Sequence, residues 1–278
     1  MTKFADAFTP SEVAQKVKTL GVSKANMPFL PLLILSMMAG AFISFGAMYY
    51  TVAMTHPAEA YGAAKLLGGL AFSLGFILVV IVGGELFTGN NLIVLAWAKG
   101  KVSTIQILKN WSLVYLGNAL GAFITVYLVF SSGFLDGAHH GFGATAIEIA
   151  LAKVDITNTE AFVRGIFCNS LVCLASWMVY ASRSVTDKVF AVIFPISAFV
   201  AMGFEHCIAN MFMIPLGIVA SLDPEAVALT GLSADALHNL NMSVFIEKLI
   251  PVTLGNFFGG TIMVGMSLYI VYLYNQED

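Results

Sequence analysis

A chain of 278 residues that is 59% hydrophobic and only 10% charged has too few polar side chains to cover a soluble surface, which excludes a water-soluble domain and leaves an integral membrane protein. A net charge of −3 is too small to point to a nucleic acid or polyanion as partner. Cys168, Cys173 and Cys207 all fall in apolar stretches without two-residue spacing, so they read as small buried hydrophobes, and no disulfide, metal or cofactor is expected.

Residues 1–28 lack the apolar core of a cleavable signal. Thr9-Pro10-Ser11-Glu12 has the form of a capping box with proline at the first helical position, and Val13, Val17 and Leu20 then recur on one face. This predicts an amphipathic helix lying on the cytoplasmic membrane surface. The transmembrane domain follows over 29–274, with continuous spans at 29–54, 111–130, 162–182 and 250–274 and a short tail at 275–278. Two further apolar stretches, 66–98 and 189–222, are each too long for one span. At ~1.5 Å per residue either would run about 50 Å as a single helix, against a bilayer core of roughly 30 Å. Each is interrupted by a glutamate followed five residues later by an asparagine, Glu85 with Asn90 and Glu205 with Asn210. Each therefore reads as a broken helix, which makes six crossings.

Lys and Arg fix the orientation. Nine of the thirteen lie in the N-terminus and the second-to-third and fourth-to-fifth connections (Lys3, Lys16, Lys18, Lys24, Lys99, Lys101, Lys109, Arg183 and Lys188), and four lie opposite (Lys65, Lys153, Arg164 and Lys248). Both termini are expected in the cytoplasm.

An internal repeat runs through these spans. Val114 to Val126 aligns without gaps on Val252 to Val264 with seven of thirteen positions identical, so span three matches span six and the two broken helices are spans two and five. The repeats cover about 29–130 and 161–274. Three crossings each is an odd number, so the second repeat is inverted relative to the first, an arrangement that places a site near the bilayer midplane between the halves. Gly117, Gly121, Gly255 and Gly259 in the matching stretch predict close helix packing, and Asn118 and Asn256 predict tethering of helix to loop.

Breaking a helix at membrane depth frees backbone groups, which are tolerated only inside protein or along a water-filled path. Glu85 and Glu205 are expected to accept hydrogen bonds from those freed N–H groups. His206 is the one histidine within a span, whereas His56, His139, His140 and His238 lie in connections; beside a break, an ionisable group is a functional candidate. Thr88 offers a small hydroxyl in the first break, and Lys153 lies in the outer connection before span four. Phe72, Phe76, Leu86, Phe87 and Phe199 are candidate constriction residues, though periodicity alone reads them as ordinary packing. Such a path suits a small monovalent anion or its neutral acid.

Gly203-Phe204-Glu205-His206-Cys207-Ile208-Ala209-Asn210-Met211 and Gly84-Glu85-Leu86-Phe87-Thr88 resemble the two signature loops of the formate/nitrite transporter family. Lys109-Asn110-Trp111, Cys168-Asn169, and Pro251-Val252-Thr253-Leu254-Gly255-Asn256 fit the same family, nearest to its formate channels in Asn210-Met211-Phe212-Met213-Ile214-Pro215 and Ser184-Val185-Thr186-Asp187-Lys188. The resemblance implies an all-α, aquaporin-like fold, a homopentamer with one pore per subunit, and passage of formate, as anion or with a proton, across the bacterial inner membrane. By position it implies that Thr88 and His206 are the paired polar residues of the pore, with Lys153 and Asn169 associated with it. It further implies that Asn256 steadies the loops and that Phe72, Leu86, Phe87 and Phe199 form constrictions. Thr88 is followed by Gly89-Asn90 where formate channels commonly carry hydroxyl residues, which is reminiscent of the nitrite branch, and Phe76 replaces a usual leucine. Nitrite and hydrosulfide remain alternative substrates. A neutral-solute facilitator has no use for a titratable histidine and an outer lysine, and a haem enzyme needs more ligands than one histidine supplies.

Overall fold

A computed structural model describes residues 8–56 and 60–276. The chain runs as α1 (Pro10–Ala25), α2 (Phe29–Met54), α3 (Tyr61–Val82), α4 (Phe87–Asn90), a 3₁₀ turn (Asn91–Ile93) and α5 (Val94–Ala98). It continues as α6 (Thr104–Ser131), a 3₁₀ turn (Phe134–Asp136), α7 (Gly141–Val154), α8 (Asn158–Ala181), α9 (Val185–Ala201) and α10 (Cys207–Ala220). The last elements are α11 (Pro224–Thr230), α12 (Ala234–His238) and α13 (Met242–Phe257), which passes through a π-helical stretch (Phe258–Met266) into α14 (Ser267–Tyr272). Five helical segments, Phe29–Met54, Tyr61–Val82, Thr104–Ser131, Asn158–Ala181 and Met242–Tyr272, are long and apolar enough to span a bilayer. The remaining apolar segment is the broken one, α9 with 17 residues before the second break and α10 with 14 after it.

Several spans start earlier than their apolar stretches. α6 begins at Thr104 because Ser103 and Gln106 form a capping box, and α9 begins at Val185 because Ser184 and Asp187 do the same. Asn241 caps α13 in the same way, through the N–H groups of Ser243 and Val244. A polar first turn projects beyond the apolar band, so hydrophobicity marks the membrane segment and the cap marks the helix. α7 lies in the connection between the third and fourth spans and α11 and α12 in that between the fifth and sixth, and the apolar pattern of the sequence did not mark them.

Both long segments break, and they break alike. α3 ends at Gly83 (φ 91°), and the turn closing α9 ends at Gly203 (φ 71°). A left-handed glycine stops each helix without the steric cost that a Cβ would bring. The glutamate follows two residues later in both cases. The arms beyond the breaks differ: α10 is a regular helix of 14 residues, whereas the first break is followed only by single turns.

α2 packs on α3 and α6 as α8 packs on α9 and α13, and α3 meets α9. The repeat glycines sit at these crossings. A Cβ on Gly121 would run into the Met37 carbonyl, and one on Gly259 into the Ile166 carbonyl. The backbones touch directly, as small residues four apart allow.

α1 departs from the expected position on the membrane surface. Its apolar face, Val13, Ala14, Val17 and Gly21, is buried against α5, the preceding 3₁₀ turn and α8. A Cβ at Gly21 would lie 3.1 Å from that of Ala96, so the glycine lets the helix seat on protein rather than lipid. Gln276 bonds Gln15 at 2.6 Å and Ser11 at 2.7 Å, which holds the tail on α1 and places both ends of the chain on one face.

A side chain at a backbone-to-backbone contact forces the helices apart, at about 1–3 kcal/mol or more for a single added methyl. Gly121→Ala is therefore expected to lower the unfolding temperature in mild detergent, while Leu120→Ala, on the exposed face of the same helix, leaves it nearly unchanged. Thermal unfolding of the purified variants is the check.

Candidate functional site

The broken helices leave the same backbone groups unbonded in both halves, and the same residue type meets them. Asn118 of α6 accepts from the Phe87 N–H at 2.9 Å and donates to the carbonyls of Ser36 (2.7 Å) and Glu85 (2.9 Å). Asn256 of α13 accepts from the Cys207 N–H at 2.8 Å and donates to the carbonyls of Gly165 and Glu205, both at 2.8 Å. Each carboxamide, itself fully buried, ties a break to two helices.

Glu85 and Glu205 do not take the freed N–H groups of their loops as anticipated. Their carboxylates face cations. Lys24, reaching in from α1, donates to Glu85 Oε1 at 2.5 Å and to Asn90 Oδ1 at 3.1 Å, and Asn90 Nδ2 donates to Glu85 Oε2 at 2.7 Å. In the other half Lys153, at the C-terminal end of α7, donates to both oxygens of Glu205 at 3.1 and 3.2 Å, and Asn210 Nδ2 donates to Glu205 Oε2 at 2.7 Å. Two Lys–Glu–Asn triads thus flank the breaks. Paired and hydrogen-bonded, the carboxylates avoid the penalty of a bare buried charge. Lys24 escaped sequence reading because it belongs to neither repeat and lies 61 positions from its partner.

Between the triads the two breaks meet. His206 is the N-cap of α10, its Nδ1 accepting the Ala209 N–H at 3.1 Å. The neutral ring then carries its proton on Nε2 and donates it to Thr88 Oγ1 at 3.0 Å, which leaves the threonine's own O–H to donate elsewhere. Phe199 stacks on the imidazole with ring centroids 6.0 Å apart, and Phe72 meets Phe199 edge-on at 5.8 Å.

Two cavities approach this contact from opposite sides. The one on the side of α7, about 560 Å³, is lined by Phe72, Phe199 and His206 together with Lys65, Lys153, Arg164 and Glu205. The one on the side of α1, about 320 Å³, is lined by Phe76, Leu86, Glu85 and Asn90 together with Lys16, Lys24 and Lys188. Four of the five anticipated constriction residues therefore lie on cavity walls. Phe87 does not: its ring packs edge-on against Tyr115 with centroids 5.0 Å apart. Asn169 lies on neither wall. It donates to Asn91 Oδ1 and to the Asn256 carbonyl, both at 2.7 Å, beside Gly260 of the π-helical stretch, where a Cβ would collide with its amide. It joins the first break to the second repeat.

Because Asn256 serves three backbone groups at once, its loss leaves several buried polar atoms unpaired, at about 1–3 kcal/mol each. Asn256→Leu should abolish the folded, detergent-stable protein, whereas Asn256→Asp, which retains the acceptor for Cys207, should be recovered with a reduced melting temperature. Gel-filtration yield and thermal unfolding distinguish these outcomes.

Residues 11–270 match the family model for the formate/nitrite transporter. The chain is 42% identical over 276 residues to "Formate channel FocA" of Escherichia coli (strain K12), covering 98% of this chain and 97% of that one. It is 44% identical over 265 residues to "Formate channel FocA" of Haemophilus influenzae, covering 94% and 93%. A solved structure described as "Pentameric formate channel with formate bound" superimposes with a TM-score of 0.82 at 44% identity, over 88% of this chain and 98% of that chain. With matches of this length carried by both signature breaks, the chain belongs to the formate/nitrite transporter family.

Proposed function

We propose that this protein is a homopentameric channel of the bacterial inner membrane that passes formate, with Thr88 and His206 at the waist of the path in each subunit. The observation that carries the reading is the Thr88–His206 contact, flanked by lysine-bearing cavities on both sides. The names of relatives 42–44% identical over nearly the whole chain favour formate over nitrite or hydrosulfide. The pentameric state of the superimposable formate-bound channel and the broad apolar exterior support assembly. The excess of Lys and Arg on the side of both termini supports their cytoplasmic placement. The reading is of a channel, not an enzyme.

The chemistry follows from the geometry. Lys24 and Lys153 draw the anion toward the inner and outer mouths, each held in place by its glutamate. Between them, Phe76 and Leu86 on one side and Phe72 and Phe199 on the other strip the carboxylate of water. Moving a bare carboxylate through such a passage costs several kcal/mol, and the neutral acid avoids most of it. The Thr88 hydroxyl, left free as a donor because its oxygen accepts the His206 Nε2–H, stands at the waist and replaces part of the lost hydration. A titratable ring there also provides a place to hold or give a proton.

Asparagine is a good N-cap, so His206→Asn keeps an acceptor for the Ala209 N–H while removing the titratable ring. In liposomes we expect His206→Asn to conduct formate with much of its pH dependence lost between mildly acidic and neutral pH. Lys153→Ala should lower flux about fivefold, the factor for ~1 kcal/mol of lost attraction, and leave in place the part of the pH dependence that His206 confers. A His206→Asn protein that titrates as the parent does would make His206 structural. Uptake of formate against nitrite, chloride and glycerol tests the substrate.

Assembly is tested separately. Cross-linking in mild detergent should end at a pentamer, and species no larger than a dimer would contradict it.

A further inference from the structure

α7 lies antiparallel along α10, and each of its ends is ionically tied to an end of that helix. At the inner end, Lys153 meets Glu205, two residues before α10. At the outer end, His140, the N-cap of α7, meets Asp223, three residues beyond α10. Between these ties the helices pack closely, since a Cβ on Gly217 of α10 would run into the Ala150 side chain and the Ala146 carbonyl. α7 is thus a strut that delivers Lys153 to the cavity on its side, and it is fastened from outside by an imidazole.

The outer tie is built for an imidazolium. His140 Nδ1 lies 2.7 Å from Asp223 Oδ2, and Nε2 lies 3.0 Å from Glu225 Oε2 on α11. Asp136, from the 3₁₀ turn before α7, completes the acidic surroundings. From the end of α2, His56 approaches the neighbouring Gly141, and exposed His139 precedes His140 in the chain. A neutral ring has one N–H and one lone pair, so it leaves one carboxylate facing a lone pair. Only the doubly protonated ring satisfies both sides.

We propose that His140 is a positioning residue for Lys153: its protonation clasps α7 to the α10–α11 corner and so makes entry of anions sensitive to pH on the outer face. The inference rests on the channel reading above. The Asp223 hydrogen bond, and then the charges of Asp223, Glu225 and Asp136, hold the His140 pKa above its usual value of about 6.5 against the opposing effect of burial. With a raised folded-state pKa, the clasp is complete below about pH 6.5 and is lost as pH rises through the raised value.

Three variants separate the clasp from the pore. His140→Gln and Asp223→Asn remove it at every pH, and His140→Arg keeps a charge that does not titrate. Formate flux into liposomes should fall about threefold as outer pH rises from about 5.5 to 8.5 in the parent beyond any fall in His140→Arg, the scale of one half-exposed ion pair. His140→Gln and Asp223→Asn should show the low, alkaline-limb flux throughout. Amide hydrogen exchange of residues 141–150, corrected for the intrinsic pH dependence, should quicken in the parent over the same range and stay slow in His140→Arg. If the parent carries formate but all four proteins share one pH profile in flux and exchange, the proposal is overturned and the channel reading stands. If no protein carries formate while exchange still follows the clasp, the channel reading fails and the control of α7 by His140 remains.

Discussion

The rest of the structure depends on one constraint: a helix broken at membrane depth must find partners for its freed backbone groups inside the protein. Two asparagines meet it. Asn118 and Asn256 each bind one N–H and two carbonyls, and each spans from a break to two helices. For a carboxamide to reach that far, the carrier helices must approach closely, and the glycines a turn away permit backbone contact. The repeat of Gly-Asn with a second glycine is therefore one device: the glycine sets the distance and the asparagine uses it.

Once the breaks are held, their ends become available for chemistry. The cap of α10 is a histidine rather than serine or aspartate, so the group that satisfies the first turn also presents an N–H to the other break. The two glutamates serve the same geometry differently. Each orients a lysine that arrives from outside the broken helix, and an asparagine five residues on shares the load. The near-symmetry hides a difference in origin. Lys24 comes from the N-terminal helix α1 and Lys153 from α7, in the connection between the two repeats, so the two cations are carried by separate elements. Asn210 Oδ1 lacks the lysine contact that Asn90 Oδ1 has, because Lys153 spends its bonds on both carboxylate oxygens.

Much of this was legible in the chain. The excess length of two apolar stretches located the breaks, and left-handed Gly83 and Gly203 would have located their first residues, had the shared glycine two positions before each glutamate been read as a helix stop. Close packing of α6 and α13 was carried by the aligned Gly-Asn stretch, but their partners, α2 and α8, were not. The Thr88 and His206 pairing came through family resemblance, since nothing in local spacing joins residues 118 apart. Phe87 and Asn169 show the converse: a motif names a position, but the direction of a side chain depends on neighbours such as Tyr115 and Gly260 that belong to other elements.

The sequence by itself determined that the chain lies in a membrane, that it is a duplicated three-helix unit, and that two helices fail at a Glu-x4-Asn stretch. These are properties of composition, length and self-similarity, which need no knowledge of contacts. The tertiary structure decided what the glutamates bind, where α1 lies, and which polar groups the two breaks bring together. Each of those turns on a partner far away in the chain: Lys24 for Glu85, Ala96 for Gly21, Thr88 for His206. A charge at membrane depth announces in the sequence that it must be compensated, because burial is costly, but only the packing of the whole bundle selects the compensating residue.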